Sequence, residues 1–183
     1  MALEELGCYV IRADELGHRV LLPGGEAHDP VVSEFGTGIL DESGAIHRRR
    51  LAALVFRDPE RLKKLSSIVH PAVTRLEREQ TDRIAATEPH AIVVVEAAIL
   101  VETGSHVKFD RLIVAVCTPE QQMQRAMARD SYSKEEALER MGRQLPLGEK
   151  RRLADFVIDT SGNKEATLEQ TRAVYRELRR ITQ

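Results

Sequence analysis

The 183 residues carry 27 Lys and Arg against 29 Asp and Glu, a net charge of −2, with 42% hydrophobic and 31% charged residues. That balance belongs to a globular chain with a substantial core and no global charge field, so neither nucleic acid nor an anionic membrane is an expected partner and any anion site is local. The longest apolar runs, 91–95 and 112–117, are too short to span a bilayer, and Cys8 and Cys117 lack zinc or redox spacing, which points to reduced thiols in a cytoplasmic chain.

Residues 1–6 have helical composition, with Gly7 suited to the position just past a helix end. The segment lacks a cap and is barely longer than one turn, so the chain reads as beginning inside an element. Cys8–Ile11 is then an apolar strand, and Asp14–Leu22 a helix. A carboxylate at the carboxyl end of such a strand lies where open parallel sheets bind ligands. Asp before a helical pattern is equally an N-cap, its oxygen accepting an orphan backbone N–H. Local sequence leaves both roles open for Asp14.

A polar, glycine-bearing stretch, 26–44, holds a short helix around Asp29–Phe35, and Ile46–Phe56 is helical. Asp58-Pro59 signals a cap and first turn, opening a helix whose core face is Leu62, Leu65, Ile68 and Val69. His70-Pro71 is expected to break it, because the residue before proline avoids the helical region. A second helix then runs from Pro71 to about Ala86. Ala91–Glu96 and Arg111–Cys117 are apolar without alternation, the pattern of strands covered on both faces.

Thr118-Pro119-Glu120-Gln121 forms a capping box, and its helix carries Arg125 and Arg129 four residues apart. Asp130-Ser131-Tyr132 ends that helix. Ser133 with Glu136 opens the next, which bears Arg140 and runs on to Arg143 and Gln144. Glu149–Leu153 is a brief helix, Phe156–Asp159 a final strand, and Asn163 caps a C-terminal helix to about Arg180. Strands separated by helices and too apolar for a solvent-facing sheet indicate a parallel α/β domain wrapped in helices.

With these elements in place, the chain resembles the dephospho-coenzyme A kinases. The pieces that carry the resemblance are Val10 to Asp14, Phe35-Gly36 with Ile39-Leu40-Asp41, Val69-His70-Pro71, Glu102-Thr103-Gly104, Phe109-Asp110-Arg111, Arg125 to Asp130, Gln144 to Leu147 with Glu149-Lys150, and Ala154 to Asp159 with Ser161-Gly162. They stand in family order along essentially the whole chain. The resemblance implies a three-layer P-loop NTPase fold of nucleoside-monophosphate-kinase type, with a core at 1–22, 87–128 and 147–183. It also implies a helical substrate domain at about 23–86 and a lid at about 129–146. The implied activity is transfer of the ATP γ-phosphoryl group to the ribose 3′-hydroxyl of dephospho-coenzyme A, with Mg²⁺, in the last step of coenzyme A synthesis.

Three departures stand out. The family's first, central strand leads into a phosphate loop ending Gly-Lys-Ser/Thr, and no G-x-x-x-x-G-K-[ST] run occurs in these residues. Arg12 stands where the family commonly has Asp, and Ala98 where it commonly has Pro. The loop's N–H groups and Lys hold the phosphates and its Ser/Thr holds Mg²⁺, so the chain as it stands is expected to be inactive, with a sheet open where the strand is lacking. The expected state is a monomer or weak homo-oligomer, strand pairing between copies being one repair.

Carried onto this sequence, the family motifs make Asp14 the general base and His70 and Glu102 substrate contacts. Arg129, Arg140, Asp159, Ser161 and Gly162 become nucleotide or phosphate contacts, and Glu96 a group behind the metal. The ordinary readings stand beside these. Glu136 and Arg140 are spaced as an i,i+4 helix pair, Glu139 and Arg143 likewise, and Asp159 suits a strand-ending turn. Two other functions fit less of the pattern: a non-catalytic homologue acting as a ligand-binding or interaction module, and a different nucleoside-monophosphate kinase.

Overall fold

The computed structural model describes residues 2–55, 58–130 and 133–182, with the side chains of Arg129 and Asp130 outside that description. In chain order its elements are α1 (Ala2–Glu5), β1 (Tyr9–Arg12), α2 (Ala13–Arg19), α3 (His28–Phe35), α4 (Arg48–Val55), α5 (Pro59–Thr87), β2 (Val93–Glu96), β3 (Ile113–Val116), α6 (Pro119–Asp130), α7 (Lys134–Gly142), α8 (Leu147–Leu153), β4 (Phe156–Asp159) and α9 (Lys164–Ile181). Contacts divide the chain into two compact units, Met1–Cys8 with Ala98–Gln183, and Tyr9–Ala97. No helix among the described residues is long and apolar enough to cross a membrane.

In the Tyr9–Ala97 unit, β1 and β2 pair in parallel from Tyr9 with Val93 to Arg12 with Glu96. Most of the unit's core is helical. Val31, Ile39, Ile46, Leu51 and Val55 form a buried cluster against which Leu62, Leu65, Ile68 and Val69 of α5 pack, the core face expected from their spacing. Val20, Ala27 and Ala72 form a second cluster further along the same helix. Each fully buried aliphatic side chain contributes about 1.5–3 kcal/mol, so α5 is held along its length by two apolar contacts.

That packing explains where the sequence reading fails. Asp58 caps α5 as expected, accepting from the N–H groups of Glu60 and Arg61 at 3.0 and 3.2 Å, with Pro59 in the first turn. His70-Pro71 does not end the helix, however: α5 is continuous over 29 residues with Pro71 inside it. An interior proline forfeits one backbone hydrogen bond and costs about 3 kcal/mol in an isolated helix. Ile68, Val69 and Ala72 flank Pro71 in the two clusters, so burial on both sides outweighs the local preference.

In the other unit β3 and β4 pair in parallel, Ile113 with Phe156 through Val116 with Asp159. Val114 and Ile158 are buried, α9 packs on β4 and brings in Val174 and Leu178, and α1 packs on α9. The local start signals hold. Thr118 and Gln121 exchange hydrogen bonds at 3.2 and 3.3 Å, Ser133 and Glu136 form a complete capping box, and Asn163 accepts from Ala166 N–H at 2.8 Å. Ser131 and Tyr132, expected in the break after α6, lie outside the described residues, as does Phe56 at the expected end of α4.

Among the described residues the architecture is therefore α/β with small parallel sheets, each of two strands. The strands are less covered than their apolar sequences suggest: Ala115 is exposed within β3, and β2 has no fully buried residue. A two-stranded sheet has two open edges, which leaves flanking side chains without the neighbours that a wider sheet provides.

Candidate active site

Parallel pairing brings the carboxyl ends of β1 and β2 to one sheet edge, where Arg12 lies opposite Glu96. The Arg12 guanidinium is 3.7 Å from Glu96 and 3.9 Å from Glu15. The chain enters α2 directly from Arg12, which occupies the N-cap position without a side-chain cap bond. Asp14 is thus the second residue of the helix rather than its cap, and the capping role considered for it is not realised. Helix formation begins earlier than the Asp signal because buried Ile11 and Leu16 anchor the strand and the first helical turn.

The consequence for Asp14 is chemical. It is exposed, in the first turn of α2, and makes no hydrogen bond or ion pair among the described residues. A carboxylate so placed is open to a ligand hydroxyl. One turn further along the same helix face stands His18, whose pKa is lowered by partial desolvation and then by the Arg48 guanidinium, against the opposing pull of Asp14 and Glu15. His18 was not singled out from sequence, although its i,i+4 spacing from Asp14 was readable. His70 lies exposed midway along α5 in the same unit.

In the other unit Glu102 is strongly engaged. Its Oε1 is 2.6 Å from Lys150 Nζ and accepts Leu145 N–H at 3.0 Å, while Oε2 is buried with no hydrogen-bond partner among the described residues. The two charged side chains are only 15% and 11% exposed. Burial pushes the Glu102 carboxyl upward, but the Lys150 ammonium and the backbone N–H groups more than offset this and hold its pKa below the ordinary value. Sequence reading placed Lys150 in a motif without seeing this partner, because the two residues are 48 positions apart.

The carboxyl edge of β3 and β4 carries a closely tied turn. Asp159 accepts from Ser161 N–H at 2.8 Å and from Ser161 Oγ at 2.6 Å, and these bonds lower its pKa. The Ser161 carbonyl accepts from Gln121 Nε2 at 2.9 Å, and Arg125 donates to the Thr160 hydroxyl and carbonyl, each at 2.7 Å. Asp159 and Ser161 are therefore brought together with Gly162 following, and the strand-ending turn reading accounts for the Asp159 contacts. Arg140 is exposed near the end of α7. Among the described residues, no group of three or more His, Cys, Asp or Glu is gathered to hold a metal ion.

Carboxylates and polar turns at the carboxyl ends of parallel strands stand where parallel α/β proteins bind their ligands. The comparisons make this specific. The dephospho-CoA kinase family model matches residues 1–166. A dephospho-CoA kinase of Aquifex aeolicus is 40% identical over 176 residues, covering 96% of this chain and 88% of the relative. One from Geobacillus kaustophilus is 37% identical over 175 residues, covering 96% and 87%. A crystal structure of a Thermus thermophilus protein superposes with a TM-score of 0.80 at 34% identity, covering 97% of this chain and 88% of that one. The structure of a dephospho-CoA kinase from Campylobacter jejuni does so with a TM-score of 0.68 at 26% identity, covering 98% and 89%. The chain belongs to the dephospho-CoA kinase family, a family of transferases.

Proposed function

We propose that this protein serves ATP-dependent phosphorylation of the ribose 3′-hydroxyl of dephospho-coenzyme A, in the cytoplasm, with Asp14 as general base. The observation that carries this reading is the exposed carboxylate in the first turn of α2, directly beyond the carboxyl end of β1 and without a hydrogen bond or ion pair among the described residues. Asp14 takes the proton of the attacking hydroxyl, a role worth about 10²–10⁴-fold in rate. The positive charge of Arg48 felt at His18 favours an anionic acceptor on this side, and His70 of the same unit belongs to the acceptor pocket.

On the donor side, Arg129 and Arg140 neutralise phosphate oxygens, and the turn Asp159-Ser161-Gly162 borders the nucleotide. Mg²⁺ when bound neutralises phosphate charge, and it is ordinarily held by one or two carboxylates plus the phosphates rather than by a protein cage. Glu96, held by Arg12, is the carboxylate assigned to that mode, as a group behind the metal rather than a direct ligand. The fold we assign is the P-loop type, with the family's first, central strand not found among these residues. Because the 183 residues contain no Gly-Lys-Ser/Thr loop, this chain by itself holds the acceptor half of the reaction and does not turn over.

Calorimetric titration of the 183-residue chain tests this. Dephospho-coenzyme A is expected to bind, with Asp14→Asn changing that affinity by less than about threefold, since a base acts on the transition state more than on binding. No binding of dephospho-coenzyme A would defeat the acceptor-half reading and favour an interaction module.

A further inference from the structure

Lys150 is an unusually complete junction. Its ammonium has three protons to give, and three acceptors surround it: Glu102 Oε1 at 2.6 Å, Gln144 Oε1 at 3.0 Å and the Ala98 carbonyl at 3.0 Å. Glu102 Oε1 also accepts Leu145 N–H. The cluster therefore ties together the segment that begins at Ala98, the turn Gln144–Pro146, and α8, which packs on β3. The turn follows immediately on the carboxyl end of α7, where Arg140 occupies the last helical turn and Arg143 the C-cap. α7 itself is pinned to its surroundings at fully buried Ala137.

We infer that Glu102 and Lys150 are positioning residues: their ion pair clamps the turn between α7 and α8 and so fixes the orientation of the α7 end that presents Arg140. The sequence pattern suggested Glu102 as a substrate contact; in the structure its Oε1 is committed to Lys150 and the Leu145 N–H, while Oε2 is buried without a hydrogen-bond partner among the described residues. Lys150 is committed too, with every ammonium proton assigned. Both side chains are mostly shielded from solvent, which makes the pair more directional and less screened than a surface contact. The importance of this clamp for catalysis rests on the reading of Arg140 as a phosphate ligand. The clamp itself does not.

Backbone amide exchange and the Arg140 side-chain Nε–Hε resonance of the 183-residue chain provide the test. Glu102→Ala is expected to raise exchange at the Leu145 amide at least tenfold and to shift the Arg140 resonance. Glu102→Gln, which keeps an acceptor but loses the charge, is expected to be intermediate. In the wild-type chain the Leu145 protection is expected to fall on acidification as Glu102 protonates, a pH profile absent from Glu102→Gln. Unchanged Leu145 exchange or an unmoved Arg140 resonance in Glu102→Ala overturns the clamp. Should Glu102→Ala fail to fold, a wild-type Leu145 amide whose protection is flat through the Glu102 titration overturns it just as well. Because these residues lack the phosphate loop, ATP affinity does not enter the decision: the exchange and resonance data alone decide the clamp, whatever becomes of the role given to Arg140.

Discussion

Replacing His28 by Ala tests how the helical unit is held together. His28 lies at the start of α3, and its side chain is 11% exposed. Nδ1 stands 2.7 Å from Asp29 Oδ1 and Nε2 3.0 Å from the Gly44 carbonyl. Both partners accept, so only the protonated ring donates to both. The Asp29 hydrogen bond raises the His28 pKa; burial opposes it and the Gly44 carbonyl supports it. A raised folded-state pKa means that this contribution is fully present below the unfolded histidine value of about 6.5 and is lost as pH rises through the folded value.

The magnitude follows from the geometry. The part-buried bond to Gly44 is worth about 1–1.5 kcal/mol. The bond to Asp29 is charge-assisted, but Asp29 is 95% exposed and the pair is screened, which limits it to about 1 kcal/mol. Above the folded pKa the neutral ring has one N–H and can keep only one of the two bonds. His28→Ala is therefore expected to cost about 2–3 kcal/mol near pH 5.5 and about 1 kcal/mol less near pH 8.5. Urea unfolding followed by far-ultraviolet circular dichroism at both pH values measures it. A cost below about 0.5 kcal/mol, or one that does not change between the two pH values, refutes the two-acceptor argument.

Three further substitutions probe separate links. Asp58→Ala removes the cap of α5 and is expected to cost about 1 kcal/mol by urea unfolding, with Asp58→Asn nearly neutral. Gly25→Ala would bring a Cβ to 2.6 Å from the carbonyl oxygens of Arg19 and Val20, backbone atoms that cannot turn aside, so a loss of about 1–3 kcal/mol is expected, and no loss would show that the close approach is not maintained. Glu102→Ala strands a largely shielded ammonium and is expected to cost about 1–3 kcal/mol at neutral pH. Because the Glu102 pKa is depressed, that difference is present above the ordinary glutamate value and shrinks as pH falls through the folded-state pKa, which unfolding curves from neutral to acid pH would reveal.

What could be read from the sequence was what is local. Asp58, Thr118 with Gln121, Ser133 with Glu136, and Asn163 all start helices where expected, because each cap is completed by residues two or three positions away. Pro71 defeated local reasoning because its helix is held by contacts with residues as distant as Val20 and Val31, which a dipeptide preference does not encode. At Asp14 the helix start was misread by a residue or two, yet the same correction leaves the carboxylate unengaged and so more available. Glu102 is expected from its motif to be a substrate contact, but its partner Lys150 follows a strand, two helices and a turn, and only the tertiary structure shows the pair. Strand existence was legible from apolar runs; the limit of pairing to two strands was not, because hydrophobicity does not say how many neighbours a strand has.

The account depends most on Asp14, and one measurement addresses it directly: the rate of coenzyme A formation from dephospho-coenzyme A and MgATP, with the product's phosphorylated atom identified by mass spectrometry. The protein assayed is this chain preceded by the strand and phosphate loop of a family member, compared with its Asp14→Asn variant. The expected result is phosphate on the ribose 3′-oxygen and a rate that falls by about 10²–10⁴-fold in the variant with ATP affinity little changed. Phosphorylation elsewhere, or an Asp14→Asn variant working at the parent rate, would contradict it.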